Sequence, residues 1–89
     1  MKIVKIGSLA CTSCIIMDKV FNEIKDNYNF EYVELDYDLD EEEVGKYDSG
    51  KILPVYIVFK DNNEIGRIVG ELKKEEFINK LERLINEEV

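Results

Sequence analysis

The stretch Cys11-Thr12-Ser13-Cys14 holds both cysteines of this 89-residue chain. It lies between a run rich in β-branched residues and a run with helical periodicity, so its surroundings decide the fold. Two sulfurs at this spacing can close a small disulfide ring or open to a dithiol. If a helix begins at Cys11, its unpaired N–H groups and positive dipole end face the first sulfur. Because that environment favours thiolate, the reactive form, we expect the pKa of Cys11 to fall from about 8.5 toward about 7. The motif therefore predicts a redox site.

The sequence on either side of this motif predicts a strand followed by a helix. Residues 2–7 form a short β-rich run that ends at Gly-Ser, which is typical of a strand. Residues 12–27 are predicted to form the helix, because apolar side chains recur there at intervals of three and four. Cys14 falls on the same apolar stripe and is expected to point inward, whereas Cys11 lies at or before the helix start. The stripe consists of Met17, Val20, Phe21, Ile24 and Tyr28.

Turn residues and apolar runs divide the remainder of the chain into further elements. Residues 55–59 are large apolar or aromatic residues in a row, which predicts a strand covered on both faces. Asp61-Asn62-Asn63 is a turn, and Gly66 is a candidate bulge in the returning strand. Asp40 and Glu43 have the spacing of a capping box. The further elements are a strand over residues 30–35, a helix from Asp40 to about Tyr47, strands over 55–59 and 64–69, and a last helix over 73–86.

The order of these elements, β-α-β-(α)-β-β-α, predicts an α/β protein. The first strand, the helix and the second strand should form a right-handed parallel unit, whereas the later hairpin should add its strands antiparallel. We therefore expect a four-stranded mixed sheet with flanking helices. A chain of 89 residues has room for one hydrophobic core. Residues 1–89 are accordingly predicted to form a single domain.

The composition narrows the classes of partner. A formal net charge of −8 repels phosphate, so we expect no nucleic acid partner. No apolar run approaches the roughly 20 residues that span a bilayer, and the first residues lack the pattern of a secretory signal. We therefore expect no membrane association and a cytoplasmic location, where a cysteine pair is more often catalytic or metal-binding than structural. The acidic stretch, residues 31–43, is either a solvated face or a surface that attracts basic partners.

Three features of the sequence are shared with a known family. These are the order of the elements, the position of Cys11-Thr12-Ser13-Cys14 after the first strand, and Leu53-Pro54 before the third strand. The chain thus resembles the thioredoxin superfamily over essentially its whole length. The run Gly66-Arg67-Ile68-Val69-Gly70 before the last helix is more similar to thioredoxin than to glutaredoxin. The resemblance implies a thioredoxin-like fold and a protein-disulfide reductase.

The resemblance also implies roles for particular residues. Cys11 would be the exposed nucleophile and Cys14 the buried resolving thiol. Pro54 would be in the cis form beside the disulfide, and the backbone of Leu53 would pair with an extended substrate. The other residues that the resemblance places at the substrate site are Ala10, Thr12, Ser13, Val69 and Gly70.

The motif region departs from the usual thioredoxin pattern in three places. Ala10 stands where an aromatic residue usually precedes the first cysteine. Thr12-Ser13 stands where Gly-Pro is usual, and its two hydroxyls either donate hydrogen bonds to the Cys11 thiolate or are solvated turn residues. Lys5 stands where thioredoxin has a buried acid that assists the second thiol. A partly buried Lys5 would favour a thiolate nearby, but because lysine is rarely buried, we expect its side chain to face solvent.

The resemblance further implies the partners of the reaction. They are disulfide-containing protein substrates and a flavin-dependent reductase, with a monomeric chain that holds no metal and no other cofactor. Three alternatives stay open. A glutathione-linked, glutaredoxin-like role suits the chain length, although the expected glutathione motif is missing and glutathione is anionic. A dimer that joins two cysteine pairs would provide ligands for zinc or an iron–sulfur cluster. The third alternative is a binding module with a redox-inert pair.

Overall fold

The computed structural model describes residues 1–87, in which strands and helices follow the predicted order. The elements are β1 (Lys2–Gly7), α1 (Thr12–Ile24), β2 (Glu31–Asp36), α2 (Glu41–Gly45), β3 (Val55–Lys60), β4 (Asn63–Val69) and α3 (Lys74–Glu87). The first helix is shorter than predicted, because the chain tightens into a 3-10 turn over Lys25–Asn27. Within residues 1–87, no helix has the length and apolar composition that crossing a bilayer requires.

The strands form one mixed sheet in the order β2-β1-β3-β4. β1 pairs with β2 in parallel, and the β3–β4 hairpin joins β1 through antiparallel pairing of β1 with β3. The two central strands are the most apolar ones, as expected for strands covered on both faces. Residues 55–58 of β3 are completely buried. The predicted fold class, a four-stranded mixed sheet with flanking helices, is therefore confirmed.

Helices cover both faces of the sheet. Side chains alternate between the two faces along each strand, so the apolar central strands present residues on both faces for the helices to bury. α1 and α3 share one face, and α2 covers the other with Val44. This packing fixes α1 over the sheet and so fixes the β1–α1 loop, in which the cysteine motif begins. The first core cluster contains Ile3, Met17, Phe21, Ile24, Tyr56, Val58, Ile68, Phe77 and Leu81. The second contains Val4, Ile6, Val44, Val55 and Ile57.

The prediction for the start of α2 is wrong in its chemistry. Asp40 occupies the N-cap position, but its side chain makes no capping hydrogen bond to α2. The Asp40 carboxylate instead accepts a hydrogen bond from Asp36 N–H at 2.8 Å. Because that carboxylate is used to close the loop after β2, the capping box with Glu43 does not form. The helix is also shorter than predicted and ends at Gly45 rather than near Tyr47.

The predicted irregularity at Gly66 is present in β4. Val58 pairs with Gly66 and Phe59 pairs with Glu64, so Ile65 is an extra residue between two paired positions. A Cβ atom built on Gly66 would overlap the side chain of Leu84 in α3. The missing side chain therefore lets α3 pack directly against the backbone of β4.

Gly66→Ala is expected to lower the free energy of unfolding by about 1–3 kcal/mol, because the added methyl group overpacks the contact with Leu84. Gly45→Ala is the matched control, since a Cβ atom there would meet nothing within 4 Å. Alanine also suits a helix better than glycine, so this control should be neutral or slightly stabilising. Urea unfolding of both variants measures the difference. Wild-type stability of Gly66→Ala would contradict the close packing of α3 on β4.

Candidate active site

Cys11 is the N-cap residue of α1. Its own N–H donates a hydrogen bond to Ser8 O at 3.2 Å, which closes the loop that leaves β1. Cys14 N–H donates to Cys11 Sγ at 3.1 Å, so an amide of the first helical turn points at the outer sulfur. The first turn of α1 contains no acidic side chain. A thiolate at Cys11 would therefore supply the negative charge that the helix dipole favours at this end.

The two cysteines form a disulfide bond with their Cα atoms 5.2 Å apart, which lies in the usual range for disulfides. Cys11 is partly exposed, whereas Cys14 is 2% exposed. Cys14 thus points inward, as the apolar stripe predicted. Cys11 is accordingly the sulfur that an approaching thiol or disulfide can reach, and Cys14 lies behind it.

Leu53, Pro54 and Gly70 build a second segment of the candidate site. The Leu53–Pro54 peptide bond is cis, which agrees with what the resemblance implies. Pro54 O accepts a hydrogen bond from Gly70 N–H at 2.9 Å, so the end of β4 lies beside the start of β3. Gly70 adopts a φ angle of 84°, a conformation that glycine reaches without steric cost. Val69, the last residue of β4, is exposed beside this junction.

Ser13 connects the start of α1 to the segment that follows β4. Its Oγ donates a hydrogen bond to Glu71 Oε1 at 3.0 Å. One turn further along α1, the Met17 sulfur accepts a hydrogen bond from Leu72 N–H at 3.3 Å. These contacts bring the end of β4 close to the cysteine motif. Ser13 therefore has a role that the sequence did not suggest, because its hydroxyl is committed to Glu71, while Thr12 is exposed.

Two of the segments that carry predicted site residues also contain an exposed apolar side chain. Leu9, two residues before Cys11, is 84% exposed, and Ile52, just before the cis peptide bond, is 65% exposed. Ile52 Cγ2 lies 3.6 Å from the position that a Cβ atom of Gly70 would occupy, so it borders the β3–β4 junction. Ile52 therefore offers an exposed apolar contact at the edge of the candidate site.

Carboxylates border the motif on two sides. Asp38 accepts a hydrogen bond from Ser8 Oγ at 3.0 Å on one side, and Glu71 binds Ser13 on the other. Tyr37 N–H donates to Gly7 O at 2.7 Å, which holds the loop after β2 against the end of β1. The acidic stretch, residues 31–43, therefore reaches the edge of the site instead of lying wholly on a remote face.

Comparison with known proteins adds to this geometry. No protein-family model and no curated protein matches the sequence. Among solved structures, thioredoxin 1 from Thermosipho africanus superposes with a TM-score of 0.75 at 23% identity, covering 97% of this chain and 96% of its own. Schistosoma mansoni thioredoxin gives a TM-score of 0.79 at 26% identity, with 99% of this chain and 76% of its own covered. The chain has the thioredoxin fold. Thioredoxin O2 from Arabidopsis thaliana in its oxidized state agrees, with a TM-score of 0.79 at 20% identity over 93% of this chain and 73% of its own.

The thioredoxin fold brings the predicted site residues together from three parts of the chain. Ala10, Cys11, Thr12, Ser13 and Cys14 come from the β1–α1 loop and the first turn of α1, Leu53 and Pro54 from the segment before β3, and Val69 and Gly70 from the end of β4. The contacts of Ser13 with Glu71 and of Pro54 with Gly70 join these segments. The roles of the individual residues stay predictions.

Lys5 is buried, so the prediction that its side chain faces solvent is wrong. It is 3% exposed, and its ammonium group forms an ion pair with Asp18 and lies 3.8 Å from Glu34 Oε1. Burial lowers the pKa of Lys5, and the charge of Glu34 opposes that change. The buried charge is tolerated because carboxylates pair with it. The alternation along β1 was the signal that sequence reasoning missed, since it places Lys5 on the same face as Ile3.

Proposed function

We propose that the protein is a cytoplasmic thiol-disulfide oxidoreductase that reduces disulfide bonds of protein substrates and acts as a monomer. The observation that supports this most strongly is the placement of the two sulfurs. Cys11 is accessible at the start of α1, and Cys14 is buried behind it within disulfide distance. A crosslink that only stabilises the fold has no need of a helix N-terminus at its outer sulfur, whereas a thiolate nucleophile is activated by one.

The first step starts from the dithiol form. The Cys11 thiolate attacks one sulfur of the substrate disulfide, so a bond forms between Cys11 and the substrate while the substrate S–S bond breaks. The departing substrate sulfur takes the electron pair and then a proton from water. The N–H of Cys14 and the dipole of α1 stabilise the attacking thiolate.

Cys14 completes the reaction. Its thiol loses a proton, and the thiolate attacks Cys11 Sγ, so that the intramolecular disulfide forms and the second substrate thiol leaves. Two electrons have then moved from the protein to the substrate. The disulfide-bonded structure corresponds to the product of this step. A flavin-dependent reductase is the proposed donor of the two electrons that restore the dithiol.

The proposed substrate is an extended segment that lies across the cis peptide bond. The backbone of Leu53 would pair with it in the manner of an added strand, and Val69 and Gly70 would border its other side. The exposed side chain of Ile52 offers an apolar contact beside this position. The carboxylate of Glu71 at the same edge favours substrates with basic residues near the disulfide.

Two of the alternatives receive less support from the geometry. The carboxylates of Asp38 and Glu71 border the motif, which disfavours anionic glutathione as a partner. Cys11 and Cys14 supply two metal ligands, and residues 1–87 contain no group of three or more cysteine, aspartate or glutamate side chains placed to hold one ion. A four-coordinate metal would therefore require a second copy of the chain.

Equilibration with a dithiothreitol redox buffer tests the proposal. We expect one two-electron transition with a midpoint between about −270 and −120 mV, the range of dithiol oxidoreductases. The reduced chain should also reduce a disulfide-bonded protein under the same conditions. A midpoint below about −300 mV, which is typical of structural disulfides, together with no reduction of protein disulfides, would contradict the proposal.

A further inference from the structure

A buried cation lies below the cysteine pair. The ammonium group of Lys5 in β1 is paired with Asp18 of α1 and Glu34 of β2. Asp18 follows Cys14 by four residues on α1, so the two side chains share a face of that helix. Both carboxylates remain accessible to water, whereas Lys5 is almost completely enclosed. The proposed mechanism assigns no task to this charge.

The distance between this cation and the inner sulfur is short. A Cβ atom built on Gly7 would lie 3.4 Å from Cys14 Sγ and 3.5 Å from Lys5 Nζ, so the two atoms are within about 7 Å of each other. Because Gly7 has no side chain, no Cβ atom occupies this position, which is within contact distance of both groups. A cavity of about 190 Å³ lies here and opens to solvent; its lining includes Lys5, Gly7, Cys14, Asp18, Glu34 and Asp36.

We propose that Lys5 is a positioning residue for the second step of the reaction, in which its ammonium group stabilises the thiolate of Cys14. This inference rests on the proposed function. When the mixed disulfide forms at Cys11, the Cys14 thiol releases its proton to water in the cavity, and the positive charge of Lys5 favours the resulting anion. Lys5 itself gains and loses no proton. The Cys14 thiolate then attacks Cys11 Sγ, and the electron pair leaves with the substrate sulfur.

The positive charge of Lys5 has to outweigh the negative charges around the same cavity. Asp18, Glu34, Asp36 and Asp40 line it together with Lys5. Water screens charges on accessible side chains strongly, whereas a buried charge is screened much less. Tyr56 of β3 faces the same region, and its buried hydroxyl has no hydrogen-bond partner among residues 1–87. Burial and the charge of Glu34 raise the pKa of Tyr56, so this side chain stays neutral. Lys5 is therefore the charged group that is enclosed beside Cys14.

The ionisation of Cys14 tests this role without any substrate. In the Cys11→Ser protein, the ¹³Cβ chemical shift of Cys14 is followed against pH by NMR. Addition of Lys5→Met should lower the ionisation constant of Cys14 about tenfold, because a nearby opposite charge lowers the pKa of an acidic group by about one unit or more. Lys5→Arg should restore most of the loss. Lys2→Met is the matched control, since Lys2 is also on β1 but extends over the Phe59 ring, and it should leave the constant unchanged.

A rate measurement on the protein with both cysteines gives a second readout. In the reaction of the reduced protein with an aromatic disulfide such as dithiobis(nitrobenzoate), Cys11 binds one thionitrobenzoate group and the other leaves as a coloured thiolate. Attack by Cys14 on Cys11 Sγ then releases the second thionitrobenzoate, in a phase whose rate does not depend on the reagent concentration. At pH 7, Lys5→Met should slow this release about threefold, because a tenfold smaller thiolate fraction is partly offset by its higher nucleophilicity. At high pH, where Cys14 is ionised in both proteins, the order should reverse, because the Cys14 thiolate of Lys5→Met is then the more nucleophilic one.

Two outcomes would overturn the role of Lys5. One is an ionisation constant in Lys5→Met within twofold of that in the parent. The other is an equal loss in Lys2→Met. If Lys5→Met does not fold, as judged by circular dichroism, Lys5→Gln tests the same charge with a polar side chain. If the expected shifts are found in a protein that fails to reduce protein disulfides, the proposed function is wrong and the electrostatic role of Lys5 is not.

Discussion

Cys11→Ser is expected to have no measurable activity in reducing protein disulfides, whereas Cys14→Ser is expected to accumulate a covalent adduct with its substrate. Cys11 is the partly exposed sulfur at the start of α1, so its removal eliminates the nucleophile of the first step. In Cys14→Ser that nucleophile is intact, and the first attack proceeds. The adduct then persists, because the thiol that resolves it in the wild-type protein has been removed.

Intact-protein mass spectrometry under non-reducing conditions measures this difference. A disulfide-bonded protein is incubated with each reduced variant, and the adduct is identified by its mass and by its loss on addition of dithiothreitol. Cys11→Ser retains Cys14, which is 2% exposed, so it should form little adduct. The double variant Cys11→Ser/Cys14→Ser controls for non-covalent association. Equal adduct formation by the two single variants would refute the assignment of the roles.

The fold was predictable from the sequence where one physical rule dominated. Residues 55–59 are apolar without interruption, and only a central strand covered on both faces buries such a run; β3 is that strand. The position of Cys11 was predictable for a similar reason, because the apolar stripe through Met17 and Phe21 sets where α1 faces the core. Cys14 continues that stripe, so its burial followed from the spacing alone.

The site was less predictable where several groups compete for one partner. Lys5 was expected to face solvent because isolated lysine is costly to bury. The parallel register of β1 and β2 places Lys5 opposite Glu34, and the sequence does not reveal which residue of β2 will stand there. The same competition removed the capping box at Asp40, whose carboxylate binds Asp36 N–H instead. Ser13 likewise donates its hydroxyl hydrogen bond to Glu71, a residue that is distant in the sequence.

Phe21→Ala is expected to destabilise the protein strongly. Phe21 is essentially buried, and its ring lies 4.6 Å from that of Tyr32 and 5.3 Å from that of Tyr56, between centroids. The ring of Phe21 also packs edge to face against that of Phe77 in α3, with the two centroids 6.2 Å apart. Truncating a buried phenylalanine costs about 3–5 kcal/mol, because apolar contacts are lost and a cavity remains.

That cost is large for a chain of 89 residues, since small domains have a total stability of about 5–15 kcal/mol. We therefore expect the thermal midpoint to fall by at least about 10 °C in the oxidised protein, followed by circular dichroism. Ile15→Ala is the matched control on the same helix, because Ile15 is 62% exposed and surface substitutions usually change stability by less than about 0.5 kcal/mol. Phe21 also holds α1 on the sheet and so keeps Cys14 behind Cys11. Loss of that anchor should make Cys14 of the reduced protein react faster with an alkylating reagent in Phe21→Ala than in Ile15→Ala. Equal midpoints for the two variants would mean that the aromatic cluster does not anchor α1.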